Sequence, residues 1–322
     1  MDIGLLLNPR HGIDTVELAV EAEKQGFDAV WFPELWGPSA PVMATAVAEQ
    51  TTELTVGTAI LNVFSRTPAT LAMTADALSD RSGGRFVLGL GTSTRMAIEG
   101  LHDLEFERPV RRAHETIELV RALTAGEDDV DYAGDLFEVA SIPPLGSDVR
   151  IFGAALGEAN RRMVGRLCDG WIPHNIPFPT LPHAFETVAE AARDAGRDPA
   201  SITIAPYVPT AVSPDLEKAR NAIRSHVAYY VGSGEGYRRA VGESFPEHAD
   251  TIATRWHDGE RSRAAAAVTD TMVDALGVAS TPTDASEDLE DLCDVAGIDS
   301  PIVVVPEKTP ELVEPTIEAL GT

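Results

Sequence analysis

Lysine is nearly missing from this chain. Lys24, Lys218 and Lys308 are its only lysines in 322 residues, and 51 acidic residues outnumber 25 basic ones for a formal charge of -26. Such a surface repels nucleic acid and anionic membrane, so neither is an expected partner. Scarce lysine, dispersed acidity and 6% aromatics fit a protein of a salt-loaded cytosol, where dense screening tolerates self-repulsion. An acidic mesophile protein is the alternative. The two cysteines, Cys168 and Cys293, form no C-x-x-C pair, which removes a disulfide framework and a zinc site; both read as small buried hydrophobes. The start "MDIGLLLNPR" has no basic n-region and no apolar run approaches about 18 residues, so secretion and membrane spanning are not indicated and a cytoplasmic location is expected. Also missing are G-x-S-x-G, H-E-x-x-H and the Walker lysine motif. Histidines such as His102, His114, His183 and His248 are scattered without metal spacing, so no metal is expected.

What is present is alternation. Short β-type runs at Ile3–Leu7, Ala29–Pro33, Leu54–Thr58, Phe86–Leu90, Arg150–Ala154, Gly170–His174, Ile202–Tyr207 and Ile302–Val305 are separated by helical patterns. In "DTVELAVEAEKQG", Asp14 caps the start and Gly26 the end. Eight βα units predict a TIM-type (β/α)8 barrel in one domain over residues 1–322, with insertions at about 92–106, 126–149 and 232–284. A doubly wound sheet is the other possibility, but its Gly-rich first turn is replaced here by "LNPRHG".

The stretch "LSDRSGGRFVLGLGTS" tests that choice. Gly89 and Gly91 follow a strand, yet Thr94 stands where a dinucleotide fingerprint needs its third glycine. A barrel instead forms its site at the C-terminal strand ends. Those ends supply Asn8, then Glu34 and Trp36, then Ala59, Ile60 and Asn62, then Gly91, Thr92 and Ser93. Later ends supply Gly153, Ala154, Ala155 and Gly157, then His174 and Asn175, and finally Tyr207. Few acids and bases among small and apolar residues suit an enzyme whose cofactor carries the reaction.

"VWFPELWG", "VGTAILNVFSRTPATLAMTADALSDRSGGRFVLGLGTS", "GLHDLEFERPVRRAHETIELVR" and "GAALGEANRRMVGRLCDGWIPHNI" together resemble the luciferase-like monooxygenase superfamily, and within it the coenzyme F420-dependent oxidoreductases. The similarity covers roughly residues 1–215, with a weaker match at the last strand and helix. The resemblance implies hydride transfer between the deazaflavin F420 and a small organic substrate. Its alternatives are an FMN-dependent monooxygenase and a non-catalytic cofactor-binding protein. It also implies a homodimer formed through the helices of "APVMATAVAEQ" and "TPATLAMTADAL".

The same resemblance assigns residues. Gly83 and Gly84 become an αβ turn, and Gly89 and Gly91 leave room for the backbone, with pure packing as the bland reading for both. Thr92 and Ser93 become cofactor contacts, and a non-prolyl cis peptide falls between Ala59 and Ile60 behind the deazaflavin ring. "GEANRR" opens a helix whose free amides at Gly157–Asn160 can meet an anion, helped by Arg161, Arg162 or Arg66. Glu34 takes the place of the acidic residue beside the ring, as a proton relay, with pairing to an arginine as its structural reading. Trp36, Tyr207 and Asn8 become substrate-pocket walls. Many relatives have Asp-His where this chain has Glu34-Leu35, which weighs against a histidine-dependent alcohol or sugar dehydrogenase mechanism. Leu6 stands where methylene-tetrahydromethanopterin reductases carry an acid, which weighs against that activity.

Overall fold

Two-residue alternation along the apolar runs sorts their side chains onto two faces, and both faces are buried. Leu5, Leu7, Val30, Phe32, Leu88, Leu90, Ile151, Trp171 and Val303 point to an outer layer shared with helices, while Leu6, Trp31, Val87, Phe152, Ile172, Ile302 and Val304 form a second, inner cluster. Strands buried on both sides are the mark of a parallel sheet wrapped by helices. The computed structural model describes residues 2–8, 12–125, 127–306 and 309–321; the middle of the "LNPRHG" turn, residues 9–11, lies outside the described residues.

The strands are β1 Gly4–Leu6, β2 Ala29–Phe32, β3 Thr55–Thr58, β4 Leu61–Asn62, β5 Phe86–Gly91, β6 Val130–Ala133, β7 Glu138–Ile142, β8 Arg150–Ala154, β9 Gly170–Ile172, β10 Thr203–Ile204, β11 Tyr207–Val212, β12 Val278–Ser280 and β13 Ile302–Val304. The helices up to the middle of the chain are α1 Thr15–Lys24, α2 Ala40–Ala48, α3 Pro68–Ser82, α4 Arg95–Gly100, α5 Pro109–Ala125, α6 Glu158–Leu167 and α7 Leu181–Asp194. Then follow α8 Leu216–Ser233, α9 Glu235–Gly242, α10 Pro246–His257, α11 Arg261–Ala266, α12 Asp270–Leu276, α13 Ala285–Ala296 and α14 Val313–Leu320. Among the described residues, no helix is long and apolar enough to cross a membrane.

The strands pair in parallel as a curled sheet in the order β10-β9-β8-β5-β3-β2-β1-β13-β11-β12, with β4 beside β5. Large aromatics fill the inner face because neighbouring strands offer glycine. A Cβ on Gly57 would lie 2.3 Å from the Trp31 ring, and one on Gly170 would lie 2.6 Å from the Phe152 ring. The helix ends follow local chemistry: Asp14 Oδ1 accepts from the amides of Val16 (2.8 Å) and Glu17 (3.1 Å), and α3 stops at Gly83, left-handed with φ 63°.

Two expectations are corrected, and the insertion after α5 takes a definite form. The run Ile202–Tyr207 is two strands, because Pro206 has no amide to continue the ladder. Its first part bonds to β9 and its second to β13, with the Tyr207 amide still donating to Pro173 O at 3.0 Å and Tyr207 paired with Ile302. β9 ends at Ile172 before Pro173, so His174 stands beyond the strand and not in it. The segment after α5 contains the antiparallel hairpin β6–β7. Buried Glu115 of α5 anchors it, accepting from the amides of Asp135 (2.9 Å), Leu136 (2.9 Å) and Phe137 (3.1 Å).

Candidate active site

The C-terminal strand ends enclose a cleft with two compartments. The outer one, about 900 Å³, lies between the ends of β5 and β8 and the helices α4 and α9. Thr92, Ser93, Ala154, Ala155 and Gly157 line it with small side chains. The inner one, about 160 Å³, is lined by Leu6, Asn8, Glu34, Trp36, Tyr207 and Val304 among others. Ile60, Ser93, Thr94, His174 and Tyr237 face both, so they form the shared boundary.

Most sequence-predicted residues come together here. Asn8, Glu34, Trp36, Ala59 and Tyr207 meet at the inner compartment, Thr92, Ala154, Ala155 and Gly157 at the outer one, and Ile60, Ser93 and His174 at both. The Ala59–Ile60 peptide is cis, at the bond the resemblance indicated. The Tyr207 hydroxyl donates to the Ala59 carbonyl and ties β11 to that turn.

Four predicted residues serve elsewhere. Asn62 is buried behind the cleft, where its Oδ1 accepts from Phe64 N at 3.0 Å and Ser65 N at 2.8 Å. Gly153 faces α6, since an added Cβ would lie 2.7 Å from Val164 and 2.8 Å from Cys168. Gly91 lies behind Ile60, 3.2 Å from where its own Cβ would stand. Asn175 is buried with φ 58° and lines neither compartment; both its amide atoms are buried without a hydrogen bond.

The expected positive patch is differently built. Arg161 reaches Ala184 O at 3.4 Å between α6 and α7, and Arg162 pairs with Glu158 at 3.0 Å. Arg66 forks onto Glu34 at 2.6 and 2.9 Å, while the Ala40 amide at the start of α2 donates to Glu34 Oε2 at 2.9 Å. The arginines at the outer compartment are Arg95, Arg238 and Arg239, bridged to Glu99, Asp250 and Glu235.

Sequence reading missed His226 and Tyr230 of α8 and Tyr237 of α9. These side chains close the inner compartment over His174. The signal was slight: His226 and Tyr230 stand four apart, hence on one helix face. His174 Nε2 lies 3.4 Å from His226 Nε2, and its ring centroid is 4.6 Å from Tyr207, 4.3 Å from Tyr230 and 5.2 Å from Tyr237. Burial holds His226 down at about 3, and burial followed by the neighbouring His226 holds His174 well below its ordinary range. Both rings are therefore neutral near pH 7, and one donates its Nε2 proton to the other. Burial pushes the Tyr237 phenol up to about 12 and Tyr207 higher still.

The outer compartment suits a large, partly anionic cofactor. Gly157 precedes α6 with no side-chain cap, a Cβ there would meet nothing within 4 Å, and buried Asn160 Oδ1 has no partner. Small strand-end residues leave room for a flat ring, and first-turn amides with nearby guanidiniums can receive an anionic group.

A curled parallel sheet with its cleft at the C-terminal strand ends defines the class of barrel-type α/β proteins. The family model described as luciferase-like monooxygenase matches residues 5–300, and the chain belongs to that family. It is 30% identical, over 85% of each chain, to the 5,10-methylenetetrahydromethanopterin reductase of Methanolobus tindarius. In fold it is similar to the coenzyme F420-dependent tetrahydromethanopterin reductase of Methanopyrus kandleri, at TM-score 0.79 and 23% identity, covering 97% of this chain and 96% of that one. It is also similar to an F420-dependent secondary alcohol dehydrogenase held with an F420–acetone adduct, at TM-score 0.76 and 20% identity over 98% of both chains.

Proposed function

We propose that this chain is an F420-dependent oxidoreductase that moves a hydride between the deazaflavin and a small organic substrate. The observation that carries the reading is the two-compartment cleft: a roomy outer chamber meets a small inner one across the single boundary of Ile60, Ser93, Thr94, His174 and Tyr237. Structural neighbours named for F420 support the choice of cofactor. The deazaflavin supplies hydride acceptance and donation; the protein supplies position, dryness and proton handling.

In this reading Thr92, Ser93, Ala154 and Ala155 border the ring, with Ile60 behind it. The amides after Gly157 and the arginines of α4 and α9 receive the anionic tail. Trp36, Tyr207 and Asn8 wall the substrate chamber, and Glu34 holds that wall through Arg66 and α2. Leu6 lines the chamber where methylene-tetrahydromethanopterin reductases are expected to carry an acid, so the pterin reductase activity of the Methanolobus relative is not assigned. The whole sheet reads as a closed (β/α)8 barrel in one domain, its two ends joined through the shared β10–β11 segment.

Titration of the protein with F420 and, separately, with FMN, followed by quenching of cofactor fluorescence, tests the reading. Saturable micromolar quenching with F420 is expected. Tighter binding of FMN, with oxygen consumed on reduction, would replace it by a flavin monooxygenase.

A further inference from the structure

Three arginines reach the outer compartment, Arg95 on α4 and Arg238 and Arg239 on α9. Arg238 and Arg239 are held by Asp250 and Glu235 at 2.8 and 3.0 Å. Among the described residues, Arg95 alone of the three also lies over an aromatic ring: its guanidinium carbon is 5.2 Å from the centroid of Phe106, which lines the same compartment. Its carboxylate partner is Glu99, one turn further along α4. Those two side chains are 64% and 44% exposed, so the pair is worth little and fades as salt is added. The ring acts differently. It attracts the cation through its face and uses none of the N–H donors, which stay free for an anion in the cleft, whereas Glu99 takes them up.

Phe106 can direct a cation only if it is itself fixed, and it is tied to the turn after β4 in two ways. Its ring stacks on Phe64, with centroids 5.2 Å apart and planes 23° from parallel. The Arg112 guanidinium on α5 lies 5.0 Å from the centroid of Phe64 and 5.5 Å from that of Phe137, just before β7. Asn62 joins the two segments through the backbone of one and the side chain of the other. Its Oδ1 accepts from the amides of Phe64 and Ser65, and its Nδ2 donates to His102 Nε2 at 3.3 Å, four residues ahead of Phe106.

Resting on the F420 reading above, we propose that Phe106 is a positioning residue for Arg95: it holds the guanidinium at the outer compartment with its donors turned to the phosphate or carboxylate groups of the ligand. Phe64 backs the ring, and Asn62 anchors the segment that carries it. Asn62 thus acts on the compartment from behind the cleft, without touching what binds there. Phe106 sets affinity for the charged part of the ligand and not for its ring.

Fluorescence-quenching titrations with F420, and with the same deazaflavin lacking phosphate and tail, separate the anion contacts from the ring contacts. Arg95→Gln should weaken F420 binding about tenfold, the effect of losing a hydrogen bond to a charged group. Phe106→Leu should weaken it about three- to fivefold, the effect of losing an exposed cation–π contact. The truncated deazaflavin should bind wild type and both variants equally, which also shows that the variants are folded. Phe106→Tyr keeps the ring and should restore wild-type F420 affinity. In the Arg95→Gln background, Phe106→Leu should cost nothing further, because the ring works through the guanidinium. Equal weakening of both ligands by Phe106→Leu, additive losses in the double variant, or unchanged F420 affinity in Phe106→Leu overturns the proposal. Absence of F420 quenching in wild type sinks the cofactor reading instead. FMN and riboflavin, which differ by one phosphate, then replace the two deazaflavins and decide the role of Phe106 on the same criteria; binding of neither pair overturns both.

Discussion

Glu34 sits at the junction of stability and chemistry. Its fork with Arg66 is only 13–21% exposed at the side chains, and a third hydrogen bond reaches Ala40 N. Hydrogen bonds to a charged group are worth about 1.5–3 kcal/mol, so Glu34→Gln should lower stability by roughly that amount by leaving Arg66 half-paired. The melting temperature should fall by several degrees, with hydride transfer in the folded fraction altered far less. A loss of about 10²-fold or more in transfer rate without a melting change would return Glu34 to the proton-relay role. His226 gives a second residue-scale expectation. Its folded pKa of about 3 lies below the ordinary ~6.5, so the unfolded chain binds the extra proton. Its contribution is complete above about pH 6.5 and is lost as pH falls toward 3, at up to ~1.4 kcal/mol per pH unit. His226→Asn should flatten the acid limb of denaturant-measured stability between those values. An unchanged limb would mean that the ring is solvated.

At the scale of elements, the glycines of β5 separate packing from site architecture. A Cβ on Gly89 would lie 1.8 Å from Thr58 O, while Thr58 Oγ1 exchanges hydrogen bonds with Gly89 N (2.9 Å) and O (3.0 Å). Gly89→Ala must therefore part β3 from β5, at more than about 3 kcal/mol. We expect it to yield little folded protein by circular dichroism. At Gly91 the Cβ would lie 3.1 Å from Ala154 Cβ and 3.2 Å from Ile60, which can yield. Gly91→Ala should fold, cost about 1 kcal/mol, and weaken F420 quenching roughly tenfold by pushing Ile60 into the cleft. Equal melting of the two variants would refute this division. Much of the element order was legible because β-runs, Asp14 and Gly83 act locally. Pro206 and Pro173 were visible too, but their effect on strand ends depended on which neighbours supplied the ladder.

At the scale of the molecule, charge and surface decide. A formal charge of -26 repels itself most when screening is weak, and the Debye length grows from about 3 Å at 1 M salt to about 10 Å at 0.1 M. The thermal midpoint is expected to rise as salt is raised from about 0.1 M to about 1 M; a flat midpoint would remove the inference of a salt-adapted protein. Val42 on α2 and Met73 on α3 stand 66% and 60% exposed. We propose that they are covered in a homodimer, since the small residues between them permit close helix approach. Light scattering in molar salt should give a dimer that Val42→Lys with Met73→Lys dissociates; a wild-type mass of 34.3 kDa would reject it.

Much of the cleft was readable in one dimension, because a strand's C-terminal end is a local property and a parallel barrel gathers all such ends on one side. Asn8, Glu34, Ile60, Ser93, His174 and Tyr207 could be named that way. Which way each side chain points could not: Gly153 and Ala154 are consecutive, yet the first faces α6 and the second the cavity, and their register depends on the neighbouring strands. His226, Tyr230 and Tyr237 show the larger gap. They lie more than fifty residues beyond His174, on helices whose periodicity places them on a face but does not say what that face covers. Only the docking of α8 and α9 over the strand ends brought these side chains to His174. Burial then left the two imidazoles neutral and close enough to share a proton.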